Sequence, residues 1–250
     1  MGIKDILKIS IYVPILNTLV FFYIFLGHNL GFAIAALTVL MRAILIPVTL
    51  PALKGAAKQK ELAPQLSELQ KKYKDNKTLL AQKQMELYKN HGFNPAAGCL
   101  PQILQLVILI VLYQVLLDIF RHPPAYFNEM LYFPSLKFAQ TDVFNTAFLY
   151  MDLAKKDPYY ILPILAGLSQ LVLSKLSLPQ TNKLEKIAEK TPDKQDDVMY
   201  NMQKQMIYMM PVMTIFIGIS LPSGLVLYWF LATLFGLAQQ WILNKKLLKN

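Results

Sequence analysis

Residues 30–50 read LGFAIAALTVLMRAILIPVTL, an apolar stretch that a single cation, Arg42, interrupts near its middle. The stretch is long enough to cross a bilayer as one helix, which needs about 20 apolar residues. A cation at the centre of a bilayer costs about 2.5–3.5 kcal/mol on insertion scales, so it usually faces a protein interior or a water-filled cavity. The stretch therefore predicts a positively charged, polar site inside a membrane.

The composition indicates a membrane protein. Of the 250 residues, 55% are hydrophobic and 16% are charged, whereas a soluble domain is about 25% charged. The single cysteine, Cys99, excludes an internal disulfide, and the sequence contains no zinc-binding pattern. It contains no hydrolase triad and no phosphate-binding loop either. We therefore expect no enzyme activity, no cofactor and no metal.

Five apolar stretches predict an all-α membrane protein in which five transmembrane helices form a bundle. The expected spans are residues 30–50, 97–117, 159–178, 206–221 and 224–243. A further run, Ile11–Leu26, is shorter and contains Pro14, so an interfacial helix is favoured over a marginal span. The chain thus divides into an N-terminal interfacial segment, residues 1–29, and a core, residues 30–250.

Residues 53–92 predict a two-helix hairpin outside the membrane. Its turn signal is Asp75-Asn76-Lys77, and apolar residues recur on either side at helical spacing. The hairpin residues that would contact a partner are Lys60, Leu62, Leu66, Leu69 and Tyr73 in the first helix, and Met85 and Tyr88 in the second. The sequence leaves three roles open: a solvated loop, a surface that rests on anionic lipid, or a receiver of an incoming polypeptide.

Lysine-rich segments predict the orientation in the membrane, because positive charge marks the cytoplasmic side. With five spans, the hairpin, a polar loop over residues 179–205 and the C-terminal tail all fall on one side. We therefore expect the hairpin, this loop and the C-terminus to be cytoplasmic, and the loop to be mobile.

Polar side chains recur along single faces of several spans. In the last span, Tyr228 and Trp229 are candidates for interface anchors or groove walls. The polar residues are Thr38, Arg42 and Thr49 in the first span, Gln102 and Gln105 in the second, and Gln170 and Ser174 in the third. They could line a hydrated groove, or they could join helices by hydrogen bonds. The groove is favoured for Arg42, because no acidic residue lies deep in any span to pair with it.

Five segments, in the same order along the chain, carry a resemblance to a known family. They are GFAI (31–34) leading to Arg42 and Pro47, KELAPQLSELQKKYKD (60–75), MELYKNHGFNPAAGCLPQILQ (85–105), DPYYILPILAG (157–167) and LPSGLVLYW (221–229). On these segments the chain resembles the YidC/Oxa-type membrane protein insertases. The resemblance covers the chain from about Leu26 to the C-terminus, and it points to the minimal bacterial form without a large preceding domain.

The resemblance implies a five-helix core with a positively charged groove that is open to the cytoplasm and to lipid. The family's groove arginine corresponds to Arg42, its threonine to Thr38, its glutamine to Gln105, and its aromatic position to Tyr228 or Trp229. The implied partners are nascent membrane proteins with one or two spans and short translocated tails, together with the lipid bilayer. The Sec translocon and the ribosome are further candidates, and no specific nucleic acid is expected. The implied location is the bacterial inner membrane.

Two other classes of function remain open from the residues alone. An intramembrane arginine also suits an anion-binding small-solute transporter or channel, although the sequence shows no internal repeat. A structural assembly factor for other membrane proteins would tolerate the loss of Arg42. An insertase and chaperone remains the expected function.

Overall fold

A computed structural model describes residues 8–73, 76–92, 99–177 and 194–247. Its helices are α1 (Val13–Phe25), α2 (Leu30–Ile44), α3 (Ile46–Lys72), α4 (Lys77–Asn90), α5 (Cys99–Arg121), α6 (Ile161–Ser177), α7 (Lys194–Ser220) and α8 (Ser223–Leu247). A π-helical turn, Lys8–Tyr12, leads into α1. Two short strands, β1 (Ala147–Phe148) and β2 (Met151–Asp152), form an antiparallel ribbon between α5 and α6. The structure is therefore mostly helical, as expected.

Several of the described helices are suited to a membrane. By length and composition, Lys8–Phe25, Ile103–Arg121 and Ser223–Lys245 are able to span one. The bent pair Leu30–Ile44 and Ile46–Gly55 qualifies if it is counted as one span, and two shorter apolar helices cover Ile161–Leu176 and Ile207–Ser220. The expected helical membrane bundle is confirmed, whereas the number of five spans stays a prediction.

The stretch from residue 30 to residue 50 is not the single straight helix that the sequence predicts. The chain bends by 64° between α2 and the start of α3. Pro47 lies just after the bend, and proline lacks the N–H that would continue the hydrogen-bond ladder of α2. The prediction of a continuous helix is wrong for this reason, and α2 ends immediately after the turn that carries Arg42.

The N-terminal run forms one helical stretch, Lys8–Phe25, that is long and apolar enough to span a membrane. An interfacial helix usually carries a polar face that meets water. Here Phe25 is 74% exposed, whereas Asn17 is buried and its side chain bonds to the backbone of the segment after α5. The interfacial placement of residues 11–26 stays a prediction.

Two boundaries outside the spans differ from expectation. The hairpin consists of α3 and α4, but α3 begins at Ile46, so its first turns belong to the predicted span. The expected loop 179–205 is helical from Lys194 onward, as the first part of α7. Polar residues led to the loop prediction, yet lysine, glutamine and methionine are good helix formers and no glycine or proline interrupts them. Residues 178–193 lie outside the described part of the chain.

Residues 122–160, here called the cap, fold over one end of the bundle. The turn between α7 and α8 is attached to it, because the Ser223 backbone N–H and hydroxyl both donate to the carbonyl of Lys155, at 2.7 and 2.8 Å. The N–H of Gly224 donates to the carbonyl of Leu153 at 3.0 Å. A Cβ on Gly224 would lie 3.2 Å from that carbonyl oxygen, so this close approach favours glycine. We call these three hydrogen bonds the clasp.

Asp157 joins the cap to the start of α6. Its buried carboxylate accepts hydrogen bonds from the backbone N–H groups of Tyr159 and Leu162, at 3.0 and 2.7 Å, and from the hydroxyl of Tyr150 at 2.9 Å. Burial, together with the bond to this carboxylate, raises the pKa of Tyr150 to about 12. A carboxylate at the beginning of a helix also interacts favourably with the helix dipole.

Asp157→Ala should lower the free energy of unfolding by about 2–4 kcal/mol, because two buried N–H groups lose their acceptor. Thermal unfolding in detergent measures the effect. Asp142→Ala is a suitable control, since that carboxylate accepts one hydrogen bond at an exposed position and should matter much less. Equal effects of the two substitutions would contradict the role assigned to Asp157.

Gly31→Ala should also destabilise the protein, by about 1–3 kcal/mol, because a Cβ at this position would overlap the ring of Phe148. Gly236→Ala is the matched control: its Cβ would lie 3.5 Å from Leu173, which is an ordinary contact. Thermal unfolding of the two variants in the same detergent compares them, and equal stability of both would show that the cap is not packed against α2 at Gly31.

Candidate functional site: a cavity beside Arg42

A cavity of about 820 Å³ lies between α2, α3, α5, α6, α7 and α8. Most of its walls are apolar, with lining residues that include Leu45, Val48, Leu104, Leu109, Leu173 and Leu225. Its polar lining consists of Arg42, Thr49, Gln105, Tyr113, Gln170, Thr214, Tyr228, Thr233 and Gln239, with the indole of Trp229 beside them. Leu106 and Met210 also line it and are 55% and 49% exposed, so the cavity is a groove that reaches the surface of the bundle.

Arg42 enters the cavity from the last turn of α2. Because α2 ends at the bend after Ile44, Arg42 belongs to the C-terminal end of this helix. The C-terminal end of a helix carries a partial negative charge that favours a cation by about 0.3–1 kcal/mol. The bend therefore stabilises the charge of Arg42 in part without a carboxylate.

Arg42 has unused hydrogen-bonding capacity. Its Nε is buried and has no hydrogen-bond partner among the described residues. The described ion pairs join Lys58 to Glu61, Lys83 to Glu86 and Lys155 to Asp152, all between residues three apart at exposed positions. Within residues 8–73, 76–92, 99–177 and 194–247, then, no carboxylate neutralises Arg42. A buried donor without an acceptor is uncommon in proteins and suits a site that binds a ligand.

Tyr228 and Gln105 form a polar contact across the cavity between α8 and α5. The side-chain amide of Gln105 donates to the hydroxyl oxygen of Tyr228 at 2.8 Å, and Tyr228 is almost fully buried. A phenol hydroxyl can accept one hydrogen bond and donate another. Because Gln105 occupies the oxygen as a donor, the hydroxyl proton of Tyr228 is available to an acceptor in the cavity. Arg42 and Tyr228 together offer donors to an anionic group.

The structure brings most, but not all, of the expected groove residues together. Arg42, Gln105, Gln170, Tyr228 and Trp229 line the cavity. The expected residues that do not line it are Thr38, which is fully buried with its hydroxyl bonded to the carbonyl of Ile34, and Ser174. The side chain of Gln102 lies outside the described part of the structure. Thr38 points elsewhere because its helix packs on α1 and α8.

Four further residues with polar groups line the cavity but were not identified in the sequence analysis: Tyr113, Thr214, Thr233 and Gln239. Thr233 and Gln239 follow Trp229 by four and ten residues, which is helical spacing and could have indicated them. The hydroxyls of Thr214 and Thr233 bond to carbonyls of their own helices, each at 2.9 Å. These two threonines therefore add less free hydrogen-bonding capacity than Arg42 and Tyr228 do.

The apolar residues at helical spacing in the hairpin are mostly shielded from solvent. We call this set the stripe, and it comprises Leu62, Leu66, Leu69, Tyr73, Met85 and Tyr88. Leu62 is 2% exposed, and Leu66, Leu69 and Tyr73 are half-buried, in keeping with contacts between α3 and α4. Met85 is 46% exposed. Tyr88 is partly buried, and this burial raises the pKa of its hydroxyl. The side chain of Lys60 lies outside the described residues. In the hairpin as it stands, the stripe packs the two helices, and Met85 is the most open of its described apolar members.

Comparison with known proteins places the chain among inner-membrane proteins. The family model described as 60Kd inner membrane protein matches residues 21–250. The chain belongs to this family. The family is that of the YidC/Oxa-type insertases, so the resemblance found from the sequence is confirmed. The YidC/Oxa-type insertases are a non-enzymatic family, in agreement with the expectation of no enzyme activity. Among the described residues, no cluster of three potential metal ligands occurs.

Three bacterial relatives illustrate the match to this family, and each is named membrane protein insertase YidC. The protein from Geotalea uraniireducens is 34% identical over 94% of this chain, and that from Campylobacter jejuni is 35% identical over 93%. The protein from Francisella tularensis subsp. novicida is 36% identical over 87% of the chain. The chain spans 37%, 37% and 33% of the lengths of these relatives, so the matched region is about a third of each.

Arg42→Met should leave the free energy of unfolding unchanged within about 1 kcal/mol, or raise it, because it removes a half-buried charge that no carboxylate among the described residues compensates. Thermal unfolding in detergent tests this. Leu112→Ala, at a fully buried position, is the control for sensitivity and should cost about 2–5 kcal/mol. A loss of 3 kcal/mol or more on Arg42→Met would instead assign Arg42 a structural role.

Proposed function

We propose that this chain inserts nascent membrane proteins into the bilayer through the groove beside Arg42. The observation that carries the proposal is a cation with an unused donor in a groove with mostly apolar walls, in a chain of this family. Such a groove accommodates both parts of a membrane protein in transit: a polar tail beside the cation and an apolar helix along the walls.

The polar tail is the costly part of insertion. Peptide groups and charges lose their hydrogen bonds with water when they enter hydrocarbon, and each unsatisfied group costs several kcal/mol. Within the groove, Arg42, Gln105 and Tyr228 supply polar groups to the tail. The tail then crosses a shorter apolar distance, which lowers the barrier.

The charge of Arg42 favours tails that contain acidic residues. A guanidinium can donate two parallel hydrogen bonds to one carboxylate, and the hydroxyl of Tyr228 provides a further donor. At an effective dielectric constant of 20, two charges 4 Å apart attract by about 4 kcal/mol. An attraction of this size promotes entry of an acidic tail and still permits its release.

Release into lipid follows from the apolar walls. The substrate's apolar helix gains about 25 cal/mol for each Å² that leaves water, so complete transfer to the lipid favours the inserted state. The exposed lining residues Leu106, Ile110 and Met210 form the side through which such a helix would leave. This mechanism needs neither a nucleotide nor a bound ion.

The orientation and the partners are part of the same proposal. The lysine distribution supports a multi-pass protein in the bacterial inner membrane with the hairpin and the C-terminus in the cytoplasm. The hairpin would receive the incoming chain, with Met85 as an exposed apolar contact. The substrates would be proteins with one or two spans and short translocated tails, inserted with or without the Sec translocon and the ribosome.

Arg42→Ala should reduce the insertion of a single-span substrate with an acidic tail by roughly tenfold, about 1.4 kcal/mol, because the attraction to the carboxylates is lost. The assay uses the purified chain in liposomes and scores protease protection of the tail. A substrate with a neutral tail should be affected much less, and Arg42→Lys should retain part of the activity.

Lys175→Ala is the matched control for this assay, since Lys175 is an exposed cation that does not line the groove. Equal insertion of the acidic substrate by Arg42→Ala and the parent protein would refute charge attraction but keep the insertase. No insertion above empty liposomes would favour a partner-dependent chaperone. Flux of small anions through the same vesicles would favour the transporter.

Tyr228→Phe should lower the insertion of the acidic substrate by about threefold to tenfold, because it removes one hydroxyl donor and leaves the ring in place. Thr214→Val is the matched control, because that hydroxyl already bonds to the carbonyl of Met210 and should be nearly dispensable. Both variants are measured in the liposome assay. Equal losses would contradict the argument that the hydroxyl proton of Tyr228 is available to a substrate whereas that of Thr214 is not.

A further inference from the structure

The cap carries an exposed apolar surface that the groove does not use. At the tip of the β1–β2 ribbon, Leu149 is 83% exposed. Tyr150, next to it, is 41% exposed, and Tyr159 and Tyr160, which precede α6, are 68% and 48% exposed. A cluster of this kind usually marks a surface that meets another molecule or a membrane.

The backbone makes a leucine at this tip still more unusual. Leu149 has a φ of +53°, and Tyr160 has a φ of +57°. This left-handed region favours glycine and asparagine, which are the usual residues in tight hairpin turns. Leu149 thus combines an exposed apolar side chain with a backbone conformation that leucine rarely adopts, and contact with an apolar surface outside the chain would remove the cost of its exposure.

The tip is fixed in position relative to the bundle. The ring of Phe148 packs over Gly31 of α2, and the side-chain amide of Asn29 donates to the carbonyl of Ala147 at 3.1 Å. On the other side, the hydroxyl of Tyr150 bonds to Asp157, and its ring lies 6.0 Å from that of Tyr159. The ribbon tip and the start of α6 therefore form one continuous surface.

This surface continues directly into an exposed apolar face of α6. Ile161 and Ile164 are each 45% exposed, and Leu168 is 52% exposed, as suits a face in contact with lipid. With 17 residues, α6 measures about 25 Å, less than the roughly 30 Å hydrocarbon core. Residues that adjoin such a short helix lie at the boundary of the hydrocarbon, where tyrosine is enriched.

We propose that Leu149, Tyr150, Tyr159 and Tyr160 form a lipid anchor that inserts into the bilayer at the cap end of the bundle. Leu149 enters the boundary between headgroups and acyl chains, and the three tyrosines lie around it at the headgroup level. The anchor is separate from the groove and acts whether or not a substrate is present. The occupant of this surface is the phospholipid bilayer itself.

The test places a fluorescent probe at the tip. Leu149→Cys is labelled in a Cys99→Ser background and reconstituted in nanodiscs that contain brominated phospholipid, which quenches a probe in contact with the acyl chains. Gln140→Cys, an exposed polar position elsewhere in the cap, is the matched control. The probe at position 149 should be quenched at least about threefold more strongly than the probe at position 140. Equal quenching would overturn the anchor, and would leave the surface to a protein partner.

A second variant tests the lipid anchor without an attached probe. Leu149→Gly relieves the backbone conformation, so its melting temperature in detergent should be no lower than that of the parent protein. The rise in melting temperature on transfer from detergent to nanodiscs should be smaller for this variant, because the inserted side chain is missing. An equal rise for variant and parent would also overturn the proposal.

Discussion

The uncompensated charge of Arg42 is the constraint on which the other features of the groove depend. A guanidinium without a carboxylate can persist at membrane depth only where the surroundings offer dipoles or water. The bend after α2 supplies the dipole of a helix end, and the polar contact between Gln105 and Tyr228 adds a hydroxyl nearby. A carboxylate close to Arg42 would neutralise the guanidinium and stabilise the fold. It would also occupy the donor that a substrate uses in the proposed mechanism.

The same constraint explains why the helices around the groove differ from one another. A uniform bundle of long, straight spans would exclude the cavity, since close-packed interiors leave few voids. Here α2 stops at a bend, and α6 and the apolar part of α7 are short. These departures leave an open volume between six helices, and the extensive contacts of α6 with α7 and α8 close its other side.

The sequence predicted the chemistry of the site better than its geometry. Arg42 could be recognised because a charge within an apolar stretch is a strong local signal. Thr38 shares an ideal helical face with Arg42 but does not line the cavity, because packing of α2 on α1 and α8 decides which face is buried, and its role in the groove stays a prediction. Pro47 accounts for a bend near Leu45, but the sequence analysis did not predict the bend. Its 64° angle depends on tertiary contacts that no local sequence pattern encodes.

The features that the sequence missed are long-range contacts. Asp157 entered the sequence analysis only as the first residue of a segment that resembles the family, yet three donors converge on its carboxylate. The sequence indicated no fold for the cap, because single backbone hydrogen bonds such as those from Ser223 and Gly224 produce no pattern in the sequence. Hydrophobic periodicity records which face of an element is buried, but it does not record what covers that face.

The clasp between the cap and the turn of Ser223 has a mechanical consequence. Because the clasp fixes the α7–α8 turn to the cap, α7 and α8 can separate only by rotating about the cap end of the bundle. A groove that widens to admit a helix would then open most at the end away from the cap, and the clasped end would stay sealed. On the proposed function, a substrate helix would then widen the groove without opening a path for ions at the clasped end, so the membrane would keep its ion barrier.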